Sequence, residues 1–171
     1  YSDGYNFSLV AYSDDAGNQW SVGEPIVGYG NVQPSLTQKK DGSIVALMRD
    51  NGDLPSRVLQ SISADDGEHW SAVDDLKIPN PGSSLHTLAL PNGEWLMVNN
   101  NLEKGRNELH LNHSKDEGKT WRTIMEIEKS DNPEDSFSYP TLISSKNDEI
   151  HLSYSLRKQT KKTIVHAVIQ L

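Results

Sequence analysis

Arginine, histidine and tyrosine are the side chains with which this sequence could do chemistry. A guanidinium holds a carboxylate through paired, charge-assisted hydrogen bonds, and an imidazole exchanges protons near neutral pH. Arg49 ends the apolar run Ile44-Val45-Ala46-Leu47-Met48, which marks it as a strand-end residue, and Arg106 follows Gly105 and precedes the alternating run from Leu109 to His113. Arg57 and Arg157 are weaker candidates. The ordinary fate of an isolated arginine in an acidic protein is a solvated surface partnership worth ~0 to 1 kcal/mol. Of the six histidines, His86, His151 and His166 lie on apolar runs, where a satisfied structural imidazole is the usual outcome. Without cysteine there is no disulfide framework and no thiolate zinc site. No His-x-His pair or carboxylate cluster of ligand spacing stands out beyond the aspartates of turns, so no metal and no cofactor is expected.

The elements that must position these groups announce themselves through a repeat. The pattern Ser-x-Asp-x-Gly-x-x-Trp occurs as Ser13, Asp15, Gly17, Trp20, as Ser63, Asp65, Gly67, Trp70, and as Ser114, Asp116, Gly118, Trp121. The copies are about 50 residues apart, a period that signals a repeat architecture. Chance is a poor explanation, because three of the four tryptophans fall in register. The chemistry is that of a hairpin turn: Ser and Asp side chains accept hydrogen bonds from turn N–H groups, Gly takes positive φ, and Trp covers the turn. A structural role is therefore expected for all twelve residues.

Each box follows an alternating segment that reads as a strand, namely 8–12, 58–62 and 109–113. Further short β runs cover 43–48, 85–90, 94–98, 140–143, 149–154 and 163–169, with turn pairs Asp41-Gly42, Asn92-Gly93 and Asn147-Asp148 between several of them. No window has helical periodicity. About four short strands per repeat of roughly 50 residues is the arithmetic of a β-propeller blade. One all-β domain is expected over 1–171, supplying about three to three and a half blades, whereas closed propellers have about 4 to 8. The chain thus reads as an incomplete ring whose open sheet faces and edges call for remaining blades or a second chain.

Composition narrows the function. The hydrophobic content of 35% and charged content of 23% are those of a soluble globular protein. A net charge of -8 and pI near 5.1 argue against nucleic acid, which asks for a basic face. Any anionic ligand must meet a local cationic pocket instead. No run approaches the roughly 18 apolar residues of a membrane span. The first ten residues lack the pattern of a signal peptide, so a mature or truncated N-terminus is expected, with a periplasmic or secreted location.

The boxes resemble those of the sialidase (neuraminidase) superfamily, and the intervening segments make the resemblance more specific. Gln33-Pro34-Ser35-Leu36 with Asp41-Gly-Ser-Ile-Val-Ala-Leu-Met-Arg49 resembles the strand pair that carries an acidic residue and one arginine of a three-arginine carboxylate clamp. Arg106, just ahead of the third box, matches another clamp arginine. Tyr139, in Ser136-Phe-Ser-Tyr-Pro-Thr-Leu-Ile143, matches the nucleophilic tyrosine. The resemblance implies a six-bladed propeller when complete, of which this chain is the C-terminal half, with the first clamp arginine and the aspartate acid/base in earlier blades. It implies an exo-acting glycosidase that holds the carboxylate of a terminal acidic sugar with Arg49 and Arg106 and reacts through Tyr139, the chain by itself being inactive. A neutral phenol as nucleophile avoids the repulsion a carboxylate would feel beside an anionic sugar.

Two positions depart from that pattern. Where exo-sialidases carry an acidic residue beside the tyrosine stands Gln33, whose amide cannot take a proton, and the later strand reads Leu152-Ser-Tyr-Ser155 rather than ending in Tyr-Glu. Gln33-Pro-Ser, Asn80-Pro-Gly-Ser and the ending from Ser138 to His166 are similar to a bacterial subgroup termed predicted neuraminidases, some relatives of which resemble lyases of rhamnose-glucuronate linkages. A uronate carries a carboxylate too, so the arginines serve both readings. In the lyase reading a base of near-neutral pKa is needed, and His86 is the candidate. A third reading is a glycan-binding propeller without catalysis.

Overall fold

The residues between Ile44 and Met48, and between Trp95 and Val98, are apolar without alternation. A strand can be so only if both its faces are covered. In the computed structural model, which describes residues 7–146 and 149–170, both runs are second strands of four-stranded antiparallel sheets that lie face to face.

Short strands β1 (Ala11–Tyr12) and β2 (Ser21–Val22) pair with each other. The first full sheet runs β3 (Asn31–Gln38), β4 (Ile44–Asp50), β5 (Arg57–Ser63) and β6 (Asp74–Pro79) in sequence order. The second repeats it with β7 (His86–Ala89), β8 (Trp95–Asn99), β9 (Glu108–Ser114) and β10 (Arg122–Lys129). The third has three strands, β11 (Ser136–Ser144), β12 (Ile150–Lys158) and β13 (Lys161–Ile169). Among the described residues there is no helix. The expected run 8–12 is shorter than its alternation suggests: only Ala11 and Tyr12 form a strand, with an isolated bridge from Ser8 to Ile26. Its single neighbour among the described residues is β2, too short to hold more of it. The expected turn pair Asn147-Asp148 lies outside the described residues.

The core is divided among the spaces between sheets. Val10 and Ile26 pack on Ala46, Met48 and Leu59, and Val45, Leu47 and Val58, on the opposite face of the first sheet, meet Leu85, Trp95 and Met97 of the second. Leu96, Val98, Leu109 and Leu111 then meet Phe137, Leu142 and Leu152 of the third. Burying a side chain of this size contributes about 1.5–3 kcal/mol, which is why the middle strands tolerate so little polarity. The outward face of the third sheet instead bears exposed Ile143, Ile164 and Val168.

Hydrogen bonds between inner strands lock the sheets in register. Ser35 Oγ accepts from the Thr87 N–H at 2.9 Å, and His86 Nδ1 accepts from the Leu142 N–H at 3.2 Å. The same turn of geometry repeats from the first junction to the second.

The second and third boxes close the hairpins from third to fourth strand, and the first closes the hairpin from β1 to β2. In the second box Ser63 Oγ accepts from Gly67 N–H (2.9 Å) and donates to Asp65 Oδ1 (2.9 Å). Asp65 Oδ1 also accepts from His69 N–H (2.9 Å), and Trp70 Nε1 donates to the Gly67 carbonyl (3.2 Å). The first and third boxes repeat these bonds with Ser13, Asp15, Gly17, Trp20 and with Ser114, Asp116, Gly118, Trp121. The glycine of each box stands at φ between 84° and 96°, where a side chain is strained.

Candidate functional site

The box turns and the candidate residues occupy opposite ends of the sheets. Ile44 pairs with Ser63, so the box begins beside the start of β4, whereas Arg49 stands five residues on. At the rise of a strand that separation is about 17 Å. Arg106 likewise precedes β9, and the third box follows that strand's other end.

Two strands are bent to reach this second end. In β3 the pairing jumps from Val32–Arg49 to Ser35–Leu47, and in β11 from Ser138–Ser155 to Thr141–Ser153. Each jump is a bulge that places a residue and its following proline opposite a single partner. The residues are Gln33 before Pro34 and Tyr139 before Pro140, and both have φ of 55°. A non-glycine residue held in this region costs about 1–3 kcal/mol and persists where surrounding structure imposes it. Both side chains face solvent: Gln33 is exposed, and Tyr139 is 53% exposed between buried Ser138 and Pro140.

Arg49 is half-buried between them. Its Nη1 donates to Gln33 Oε1 at 3.0 Å and its Nη2 to Asn51 Oδ1 at 2.9 Å, while Nε is buried without a hydrogen-bond partner. Burial lowers its pKa below the ordinary arginine value, and the Arg106 charge adds to that; the Tyr139 hydroxyl acts the other way, through charge and a hydrogen bond. Arg106 and Tyr139 thus both act on Arg49, although the three come from three sheets or connections. Arg106 is held by its Nη2 bond to the Gly82 carbonyl (3.0 Å), and its own carbonyl accepts from the Phe137 N–H at 2.8 Å, two residues before Tyr139. Among the described residues no carboxylate is hydrogen-bonded to Arg49, Arg106 or Tyr139. The lining is made of donors and neutral amides, which suits an anion.

His86 belongs to a different setting. Its Nδ1 accepts the Leu142 N–H at the junction of the second and third sheets, which leaves Nε2 to carry the proton in the neutral ring, and burial lowers its pKa. In this state His86 offers a donor rather than a free basic nitrogen. The weaker arginines have partners elsewhere: Arg57 pairs with Glu103 at 2.8 Å, and Arg157 donates to the Glu134 carbonyl. Tyr154, in the segment that departs from the Tyr-Glu ending, is buried with its hydroxyl on Glu128, and both burial and that carboxylate raise its pKa. His151 and His166 stack on the outward face of the third sheet, ring centroids 5.2 Å apart.

Of the groups that hold the two guanidiniums, Gly82 lies in the Asn80-Pro-Gly-Ser segment singled out by resemblance, with no role attached to it there, and Asn51 carried no signal beyond that of a turn residue. Gly82 is 24 residues from Arg106, and Asn51 two from Arg49.

Consecutive face-to-face antiparallel sheets, with a shared funnel end opposite the box turns, define a β-propeller of the sialidase type. The family described as BNR repeat-like domain matches residues 3–152, and the chain belongs to that family. The fold is shared with solved sialidases: the leech intramolecular trans-sialidase at TM-score 0.69 and 19% identity, over 94% of this chain and 27% of that one, and NanB sialidase of Streptococcus pneumoniae at TM-score 0.71 and 17% identity, over 95% and 27%. It is shared as well with an α-L-arabinofuranosidase of Fusarium graminearum, at TM-score 0.64 and 17% identity, over 81% and 45%. The chain therefore spans less than half the length of these structures. No curated protein sequence matches it.

Proposed function

We propose that this chain forms part of a carbohydrate-active propeller that holds the carboxylate of a terminal acidic sugar between Arg49 and Arg106, with Tyr139 at the reacting centre. The observation that carries the reading is that Arg106 and Tyr139 both act on half-buried Arg49 at one funnel end, with no carboxylate among the described residues hydrogen-bonded to any of the three. Two guanidiniums brought together repel each other, and a bound anion relieves that repulsion. The sialidases of like fold act on an acidic sugar, whereas an arabinofuranoside has no carboxylate to hold, so the paired arginines favour the former class. Arg49→Ala in the complete protein is expected to abolish turnover or raise KM for the acidic glycan; unchanged kinetics would refute the clamp.

A second reading, β-elimination from a uronide, draws support from Gln33. Its amide is bonded to Arg49, so no base stands at the position that would activate Tyr139 as a nucleophile. Incubation with a rhamnose-glucuronate polysaccharide then yields absorbance from an unsaturated uronate; release of free sialic acid from a sialoside decides for hydrolysis instead. Binding with neither product leaves a glycan-binding module.

The reading also includes completion of the ring by further blades or a second chain. Ser35 and His86 each accept an N–H from the next inner strand, and Thr141, at the corresponding place of β11, is exposed beside Ile143. The isolated chain is expected to self-associate in light scattering, less so as Ile164→Lys; a monomer in both forms argues that this face needs no cover.

A further inference from the structure

We infer that Asn51 is a positioning residue for the carboxylate clamp, acting as the link between its two guanidiniums. The inference rests on the carboxylate-holding reading above. Arg49 lies near the end of β4, and its guanidinium is oriented by two amide oxygens, those of Gln33 and Asn51, because Nε has no partner. Removing the Asn51 oxygen leaves Gln33 as the one amide anchor, at Nη1, beside the Tyr139 hydroxyl, and frees Nη2 so that the planar group can turn.

The same Asn51 oxygen faces the turn that holds Arg106. A side-chain carbon placed at Gly82 would lie 3.6 Å from Asn51 Oδ1 and 3.3 Å from the Asp50 carbonyl oxygen, and the Gly82 carbonyl accepts from Arg106 Nη2. The turn is itself fixed. Buried Asn80 accepts from Ser83 N–H at 3.0 Å and donates to the Ser83 carbonyl at 2.9 Å, while its own N–H donates to the Ser56 carbonyl at 3.2 Å. Gly82 has φ of 69°, so a larger residue there would be strained as well as crowded. Asn51 is thus bonded to one arginine and packed against the support of the other. Its neutrality matters equally: an amide oxygen orients a guanidinium without cancelling its charge, whereas a carboxylate at 51 would form the ion pair meant for the ligand.

The test is calorimetric binding of N-acetylneuraminate and D-glucuronate, each beside its methyl ester, to the protein and its variants. The unaltered protein should bind one of the two acids more tightly than the ester. Asn51→Ala should weaken the acid roughly tenfold, the loss expected for one hydrogen bond to a charged group, and leave the ester unchanged. A merely structural defect would weaken acid and ester alike. Asn51→Asp, which keeps the acceptor, should also lose affinity for the acid, through charge compensation. If Arg49→Ala loses the acid but Asn51→Ala retains it, the role of Asn51 is overturned and the clamp stands. If Arg49→Ala is unaffected, or the protein binds neither acid, the clamp reading falls and this inference with it.

Discussion

At one end of the first sheet the turn from Ser63 to Trp70 leaves its polar groups satisfied, with Ser63, Asp65, His69 and Trp70 all bonded within eight residues. At the other end of the same sheet, Arg49 keeps an unpartnered buried Nε, Gln33 holds a left-handed backbone ahead of a proline, and the Arg106 charge presses on the Arg49 guanidinium. The first end also holds a residue in the left-handed region, Asp66 at φ of 59°, but it does so inside a turn whose polar groups are bonded to one another. The second is held in place by neighbouring blades against local preference, and what it leaves unsatisfied points outward. Left-handed backbone is common to both ends, so unpaired charge is what separates them; like charges brought together persist in a fold where something other than stability retains them, and the comparison assigns stability to the box end and ligand chemistry to the funnel end.

Substitutions at the funnel end should break this division most visibly if it is mistaken. Tyr139→Phe in the complete protein is expected to lower kcat by about a thousandfold or more, the scale on which a reacting group is felt, while leaving Tm and ligand affinity close to those of the parent. The hydroxyl lies outside the core, and the ring can stay where it is. A phenylalanine variant that turns over normally would remove Tyr139 from the chemistry.

The box end should answer in the opposite way. Ser63→Ala leaves the buried Gly67 N–H without its acceptor, a loss of about 1–3 kcal/mol, read as a lower midpoint in urea with acidic-sugar binding intact. Should binding fall as far as stability, the two ends would be coupled rather than divided.

Acid should find the same end. The His69 N–H bond, followed by the His69 ring, holds the Asp65 carboxyl down at about 2, and the Thr120 hydroxyl and N–H do the same for Asp116. A carboxyl depressed in the fold stabilises it above the unfolded value near 4. The contribution is therefore whole above about pH 4 and fades as the pH falls towards about 2. Asp65 is exposed and Asp116 only partly covered, so the effect is small. Asp116→Asn should flatten the stability profile between those limits, and an unchanged acid limb would show that the box carboxylates do not set it.

How much of this was legible in the sequence follows from how local each cause is. The boxes were readable because the side-chain bonds of their Ser, Asp and Trp residues close within eight residues. Strands β4 and β8 were readable because burial on both faces forces an unbroken apolar run. The fourth strands β6 and β10 gave almost no signal: Asp74, Asp75 and Lys77, or Arg122 to Glu126, lie exposed at the rim where nothing selects an apolar face. At the site, Arg49, Arg106, Gln33 and Tyr139 were reached through resemblance, and neither the convergence of the other three on Arg49 nor the φ of the bulges could be read from spacing. Gly82 acts on Arg106 across 24 residues, and the bond from Arg49 to Asn51, though it spans only two, joins side chains whose direction a linear pattern does not encode.

The smallest expected effect probes the bulges themselves. If φ of 55° at Gln33 is imposed by the surroundings, the strain comes from the Cβ atom, and glycine relieves it while alanine does not. Glycine also frees the unfolded chain, which costs about 0.5–1 kcal/mol. Gln33→Gly should therefore come out more stable than Gln33→Ala by only about 1 kcal/mol at most, in spite of its smaller side chain, and Tyr139→Gly should stand in the same relation to Tyr139→Ala. Both pairs lose the side chain that faces the ligand, so each pair should bind the acidic sugar equally poorly. A glycine variant less stable than its alanine counterpart at either position would mean that the backbone there is relaxed, and that the funnel end is shaped by its side chains alone.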